Sequence, residues 1–424
     1  MQEFRVSVDQ LRVGVFIRLE MAWFEHPFLF GSFKIKSIDQ IATLKELGLT
    51  SVLFIPEKSD QLPVPQAPKS QTQGEAPPAE KIVTTEALWN IKQERIATLR
   101  AQRERFCRCE KQYRKTLDRV RNIMNNLTTA SAEVVKEASS LVEEMVQIFV
   151  SDKDIVVHLM NTEDGTEDLF YHSLNTAVLG LIVGREYGLE AESLNKLGLG
   201  LLFHDIGKQR IPKRVLIKKP PLTPSELKLV QLHTRYGEDM IAGQVPDFPA
   251  ESLEIIGQHH ETADGKGYPA GLKEEQIPLL VKLAAVVNTY DNHCNKVDPE
   301  SSLTPYQALS YMFGKQNKQF PIELVALLVR SVGVYPPGAL VQLSNGSIGL
   351  VVSVNPTHSL RPGVLLYDPT IPKNEALIIE LEDEPDLSIV QSIHPASVST
   401  EIYNYLSPRN RVIYFSEPST SSSN

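Results

Sequence analysis

The segment His259-His260-Glu261-Thr262-Ala263-Asp264-Gly265-Lys266-Gly267-Tyr268-Pro269 holds two adjacent imidazoles, two acids and a Gly-x-Gly-Tyr-Pro turn. Upstream stand His204-Asp205, with Lys208 three residues on, and then His233. Histidine is scarce, ten in 424 residues, and such pairs fill a core poorly. A buried imidazole or carboxylate without a partner costs on the order of several kcal/mol. A shared cation supplies the partner, so the pattern reads as a ligand set. Imidazoles with a few carboxylates suit iron, manganese, nickel or zinc better than magnesium or calcium. The matching chemistry is metal-dependent hydrolysis, in which a bound cation activates a water.

Several elements must deliver these residues to one place. Asp168 and His172 are four apart and would share a helix face. His204-Asp205 closes the apolar run Leu197 to Phe203, and Lys208 follows one turn later. His233 falls in a helical stretch starting near Thr223, with Thr223 as N-cap, Pro224 at the first helical position and Glu226 completing a capping box. His259-His260 ends the helical stretch Glu251 to Gln258, and Asn288 and Asp291 lie on the apolar segment Leu279 to Tyr290. Asp205 is the natural carboxylate to bridge two cations, because its neighbour His204 can bind one of the same ions. Gly265, Gly267, Tyr268 and Pro269 form a tight loop beside the site.

The rest of the chain sets the frame. Its length allows two or three domains, and its overall reading is multidomain α+β. Residues 1–58 read as a small α/β domain, with strands at Val13–Ile17 and Ser51–Ile55 around a helical repeat of Ile38, Ile41, Leu44 and Leu47. Residues 59–85 are rich in proline, glutamine and serine and read as a disordered linker. Residues 86–149 lack proline and glycine and read as a long helical connector, whose mixed charges suit a solvated or coiled-coil face and a homodimer contact. Residues 150–332 form an all-α block that holds the ligand set. Residues 333–415 are β-rich, with a hairpin over Val341–Val352 turning at Asn345-Gly346 in a type I′ turn. Residues 416–424 read as a disordered tail.

Composition excludes several classes. A net charge of −9 argues against a general nucleic-acid binder. Three cysteines give no disulfide framework. No apolar run reaches the roughly 18 residues that span a bilayer. The start, Met1-Gln2-Glu3-Phe4-Arg5, lacks the basic and apolar stretches of a signal peptide, so the chain reads as cytoplasmic, with no membrane contact.

His204-Asp205-Ile206-Gly207-Lys208 and His259-His260-Glu261-x-x-Asp264-Gly265-x-Gly267-Tyr268-Pro269 together resemble an HD-GYP domain. His172-Ser173 and His233 followed by Gly237 support the match. The resemblance covers residues 150–332; residues 1 to about 140 more weakly resemble an uncharacterised domain often joined to it. It implies a hydrolase of cyclic di-GMP, yielding pGpG or GMP, with a centre of two or three divalent metals. Iron or manganese is expected, with zinc or nickel as alternatives. His172, His204, Asp205, His233, His259 and His260 would be ligands, Asp168 would serve a third ion, and Lys208 would contact the scissile phosphate. The loop is also implied as a docking surface for a GGDEF-domain protein. One position departs from the family: the usual final Asp ligand is Asn288, and only Lys296 is basic in the segment after it. This departure motivates the alternative of a degenerate domain acting as a cyclic-di-GMP-responsive adaptor.

Overall fold

The computed structural model describes residues 3–21, 25–28, 30–64, 85–126, 131–149, 152–160, 169–218, 221–296, 301–355 and 357–407. Asp168, most of the expected linker and the expected tail lie outside them. The chain divides into two compact units, Met1–Gln102 with Asp368–Ile378, and Arg103–Tyr367 with Ile379–Asn424.

The first unit is built on strands β1 (Phe4–Ser7), β2 (Phe16–Arg18), β3 (Ser32–Lys34) and β4 (Ser51–Phe54), with helix α1 (Ile38–Glu46) preceding β4. The strands form one antiparallel sheet in the order β1-β4-β2-β3. Val52 and Phe54 alternate with less buried neighbours along β4, as the two-residue period of a strand requires. They pack with Val15, Ile17 and Leu44 in the core of this unit. The expected strand at Val13–Ile17 starts later, because Gly14 turns the chain at φ +92°. Helix α2 (Thr85–Asn126) opens in this unit. Its Lys92 is buried and donates to the His26 carbonyl at 2.7 Å.

The second unit contains α2 from Arg103 on, followed by α3 (Ser131–Phe149), α4 (Lys153–Met160), α5 (Leu169–Tyr187), α6 (Ala191–Phe203), α7 (Lys213–Leu216), α8 (Pro224–Gln231), α9 (His233–Gln244), α10 (Ala250–Gln258), α11 (Leu279–Cys294), α12 (Pro305–Gly314) and α13 (Ile322–Val332). A single apolar core joins Tyr113, Leu117 and Val120 of α2 and Leu141 and Met145 of α3 to Leu174, Leu201, Phe203 and Val286 of the later helices. Full burial of each such side chain contributes about 1.5–3 kcal/mol. The span read as a connector therefore lends one face to this core. Its apolar residues recur at helical spacing among Lys and Arg, which hid the stripe.

Strands β5 (Leu340–Leu343), β6 (Ile348–Ser353), β7 (Gly363–Leu366), β8 (Ile378–Glu380) and β9 (Ile389–Ile393) form an antiparallel sheet ordered β8-β7-β6-β5-β9, and α14 (Thr400–Leu406) follows. The expected hairpin is present, but its turn is not type I′. Only Gly346 has positive φ, at +85°; Asn345 does not. The Gly346 amide donates to Leu343 at 2.8 Å and the Leu343 amide donates to Ser347 at 2.9 Å. That is a three-residue loop closed by glycine, the next most common hairpin solution.

Candidate metal centre

Five helices and one turn carry the site. The capping box at Thr223 forms as expected: Thr223 Oγ1 accepts from the Glu226 amide at 3.3 Å and Glu226 accepts from the Thr223 amide at 2.7 Å. The helix it starts nevertheless breaks at Leu232, so His233 opens α9 rather than continuing α8. His204 ends α6, Asp205 begins the turn Ile206–Arg210, and His259-His260 follow α10. His172 comes from α5, and Asn288 and Asp291 come from α11. Gly207 lets two of these elements meet: a Cβ there would lie 2.0 Å from the His233 carbonyl oxygen and 2.4 Å from the Gly237 nitrogen. Only glycine permits that approach of backbone to backbone.

Asp205 is the hub, 1% exposed. His172 Nε2 and His204 Nε2 lie 3.5 and 3.4 Å from its Oδ2. His233 Nε2 and His259 Nε2 lie 3.2 and 3.7 Å from its Oδ1. His260 joins the Oδ1 group, and the ligand atoms within each group lie within 4.8 Å of one another. One carboxylate therefore separates two clusters of imidazole.

The other ring nitrogens fix the tautomers. Nδ1 of His204 faces the Leu201 carbonyl at 2.6 Å, Nδ1 of His233 faces that of Val230 at 2.7 Å, and Nδ1 of His259 faces those of Ile255 and Ile256, each at 3.1 Å. Nδ1 of His172 faces Asp291 Oδ2 at 2.6 Å. Carbonyls and carboxylates only accept, so each Nδ1 carries the proton and each Nε2 presents a lone pair. Yet His172 Nε2 and His204 Nε2 are 3.2 Å apart, and so are His233 Nε2 and His259 Nε2. Lone pairs facing each other and a carboxylate repel. Both Asp205 oxygens are buried without an aligned hydrogen-bond donor; Lys208 Nζ, 2.6 Å from Oδ2, contributes charge. A cation on each side of Asp205 satisfies all of these atoms, so the residues fit divalent metals. Backbone carbonyls and carboxylates behind ligating histidines are the usual second layer of such sites.

The titration behaviour agrees. Burial, reinforced by neighbouring imidazoles, holds His259 and His260 well below the ordinary histidine range. Burial also lowers His204. These rings are thus neutral and able to ligate. Burial opposes ionisation of Asp205, but Lys208 and the surrounding imidazoles outweigh it and keep the carboxylate charged. His172 differs: burial would lower it, but Asp291 outweighs that and raises it.

Asn288 sits with Oδ1 3.0 Å from His172 Nε2 and accepts from Asn292 Nδ2 at 2.8 Å. It occupies the edge of the Oδ2 cluster with a neutral amide. Asp291 is not among the clustered ligand atoms; it orients His172 and is itself held by Asn175 Nδ2 at 3.2 Å and Asn295 Nδ2 at 2.9 Å on Oδ1.

The glycine-rich loop is beside the centre, as expected. Tyr268 stacks on His260, with ring centroids 4.5 Å apart and planes at 19°. Burial raises the Tyr268 hydroxyl well above its usual range, so it acts as a donor rather than a base. The Tyr268–Pro269 peptide is cis. Gly267 is required by space: a Cβ would lie 2.4 Å from the Thr262 nitrogen and 2.5 Å from the His260 carbonyl oxygen. Gly265 has φ +72°. Glu261, whose role was not legible in the sequence, is buried and gathers the loop. Its carboxylate accepts from the amides of Ala270 at 2.6 Å, Gly271 at 3.1 Å and Leu272 at 2.8 Å.

Comparison with known proteins follows the same division. Residues 163–321 match the HD domain, residues 3–138 a domain of unknown function (DUF3391), and residues 340–401 a KOW domain associated with the HD domain. Residues 163–321 thus carry an HD domain, and the two long histidine motifs, 204–208 and 259–269, lie within it. A cyclic di-GMP phosphodiesterase of Pseudomonas aeruginosa is 28% identical over 370 residues, which is 86% of this chain and 84% of that one. The cyclic di-GMP phosphodiesterase response regulator RpfG of Xanthomonas campestris pv. campestris is 32% identical over 167 residues, 39% of this chain and 44% of that one. A 3′3′-cGAMP-specific phosphodiesterase of Vibrio cholerae is 26% identical over 186 residues, 44% of this chain and 36% of that one. The last two are thus matched over less than half their length. Among the described residues no helix is long and apolar enough to cross a membrane.

Proposed function

We propose that this protein hydrolyses cyclic di-GMP, yielding pGpG or GMP. The observation that carries the reading is the division of imidazole Nε2 atoms between the two oxygens of Asp205. Relatives named as cyclic di-GMP phosphodiesterases supply the substrate. Asp205, His172 and His204 with Asn288 would hold one divalent ion; Asp205, His233, His259 and His260 would hold the other. Ions so bound supply a water nucleophile at neutral pH and neutralise the phosphodiester oxygens. Iron or manganese, and a cytosolic setting, belong to the same proposal.

The chain's own residues do the remaining work. Asp205 stays ionised and sets the spacing of the two clusters. Lys208, a quarter exposed beside Oδ2, offers a positive charge to the phosphate where negative charge grows in the transition state. Tyr268 forms an aromatic wall against His260 and keeps its proton. The neutral Asn288 weakens one half without removing its imidazoles or carboxylate, so the geometry favours an enzyme over an inert adaptor.

The test is turnover of cyclic di-GMP by the purified full chain loaded with iron or manganese, with products separated by chromatography and 3′3′-cGAMP assayed alongside. Release of pGpG or GMP is expected. Metal-replete protein that leaves cyclic di-GMP intact would overturn the substrate assignment, and cleavage of 3′3′-cGAMP alone would move it to that nucleotide.

A further inference from the structure

Behind His172 runs a buried chain of polar side chains that ends far from the centre in sequence. Asp291 Oδ2 receives the His172 Nδ1 proton at 2.6 Å, and Asp291 Oδ1 accepts from Asn175 Nδ2 at 3.2 Å. The Asn175 carbonyl oxygen in turn accepts from the Tyr113 hydroxyl. Tyr113, Asn175 and Asp291 are 1%, 0% and 2% exposed. The direction of every bond is forced. The carboxylate can only accept, so the Asn175 amide must point its NH2 at Asp291 and its oxygen at Tyr113. The Tyr113 ring is held by Phe149, centroids 5.9 Å apart, and by Tyr171 at 6.0 Å. Tyr113 lies on α2, outside the HD-domain match (163–321) and inside the match to the domain of unknown function (3–138).

We propose that Tyr113 is a positioning residue of the metal centre: through Asn175 and Asp291 it fixes the tautomer and orientation of His172, so the segment of unknown function completes the HD domain's ligand shell. Without the hydroxyl, the Asn175 oxygen is left buried without that donor, and the amide loses one of its two anchors. Its NH2 then holds Asp291 less firmly, which loosens the carboxylate and the ring behind it. The ion on the Oδ2 side of Asp205 feels this; the ion on the Oδ1 side, where His233 and His259 lean on backbone carbonyls, does not. The inference rests on the two-ion reading above but not on the identity of the substrate.

The experiment is a titration of the metal-free full chain with cobalt(II), following the visible absorption of the bound ion. Wild type should take up two equivalents. Tyr113→Phe, which keeps the ring and removes only the hydroxyl, should bind one equivalent about tenfold more weakly and alter its spectrum, the lower end of what losing an outer partner does. The other equivalent should be unchanged. Asn175→Ala should weaken the same equivalent at least as much. Ser331→Ala, which deletes a buried hydroxyl bonded to the Leu327 carbonyl at 2.9 Å, controls for loss of stability and should leave both intact. The assignment is overturned if Tyr113→Phe binds both equivalents like wild type, or if Ser331→Ala weakens the same equivalent equally. A wild-type chain that takes up no cobalt would overturn the metal centre itself, a distinct result.

Discussion

The two sides of Asp205 are built on different principles. On the Oδ1 side, the Nδ1 protons of His233 and His259 are held by backbone carbonyls one turn upstream, so the tautomers are consequences of helix geometry alone. On the Oδ2 side, His204 follows that rule, but His172 depends on Asp291, and the neighbouring Asn288 brings an amide in place of a charge. A backbone carbonyl cannot be mutated away or titrated; a carboxylate can. The Oδ1 half is thus the fixed half and the Oδ2 half the adjustable one.

The most severe way to break this comparison is to remove what the halves share. Asp205→Ala should abolish uptake of both ions and lower turnover at least about a thousandfold, measured by elemental analysis and nucleotide assay. Retention of two ions would show that the carboxylate does not divide the centre. Removing one histidine from each side separates the halves. His259→Ala and His204→Ala should each cut metal content from about two ions to about one, and cobalt spectra should show different survivors. Identical spectra would merge the halves into one site. Asn288→Asp sharpens the contrast by giving the adjustable half a full charge. It should tighten the weaker ion about tenfold, and unchanged affinity would mean that Asn288 is no handicap.

The smallest effect supplies a reference from outside the centre. His26 in the first unit is buried, and burial followed by the Lys92 charge lowers its pKa to about 4. Its folded pKa is depressed, so its contribution is present above the unfolded value of about 6.5 and is lost as pH falls toward 4. Chemical unfolding of the first unit should show stability falling across that window, and His26→Leu should flatten the fall. An unaltered profile would assign the acid sensitivity to another group.

The centre was more legible in the sequence than its support. His204-Asp205 and His259-His260 stand out because adjacent ligand types at the ends of separate apolar helices pack badly as core and well around a cation. Thr223, Pro224 and Glu226 revealed a helix start because capping is local. The contacts that join Asp291, Asn175 and Tyr113 to their partners did not show, since those partners lie 119, 116 and 62 residues away and no short spacing records the contact. Glu261 was visible only as an acid in a motif; its three amide partners exist once the loop has folded back. The turn at Asn345-Gly346 was misread for the opposite reason. That pair suits more than one local geometry, and the flanking strands select among them.

The absence of a side chain at position 207 has a consequence for how the catalyst can change. Main chain rests on main chain there, at the joint between the Asp205 turn and the start of α9. The distance from the Asp205 turn to the start of α9, which carries His233 to Asp205 Oδ1, is consequently gauged by peptide groups, which substitution cannot lengthen or shorten. Adapting this molecule to a bulkier or smaller nucleotide would have to proceed through the surrounding loops, while the seat of His233 against Asp205 stayed constant.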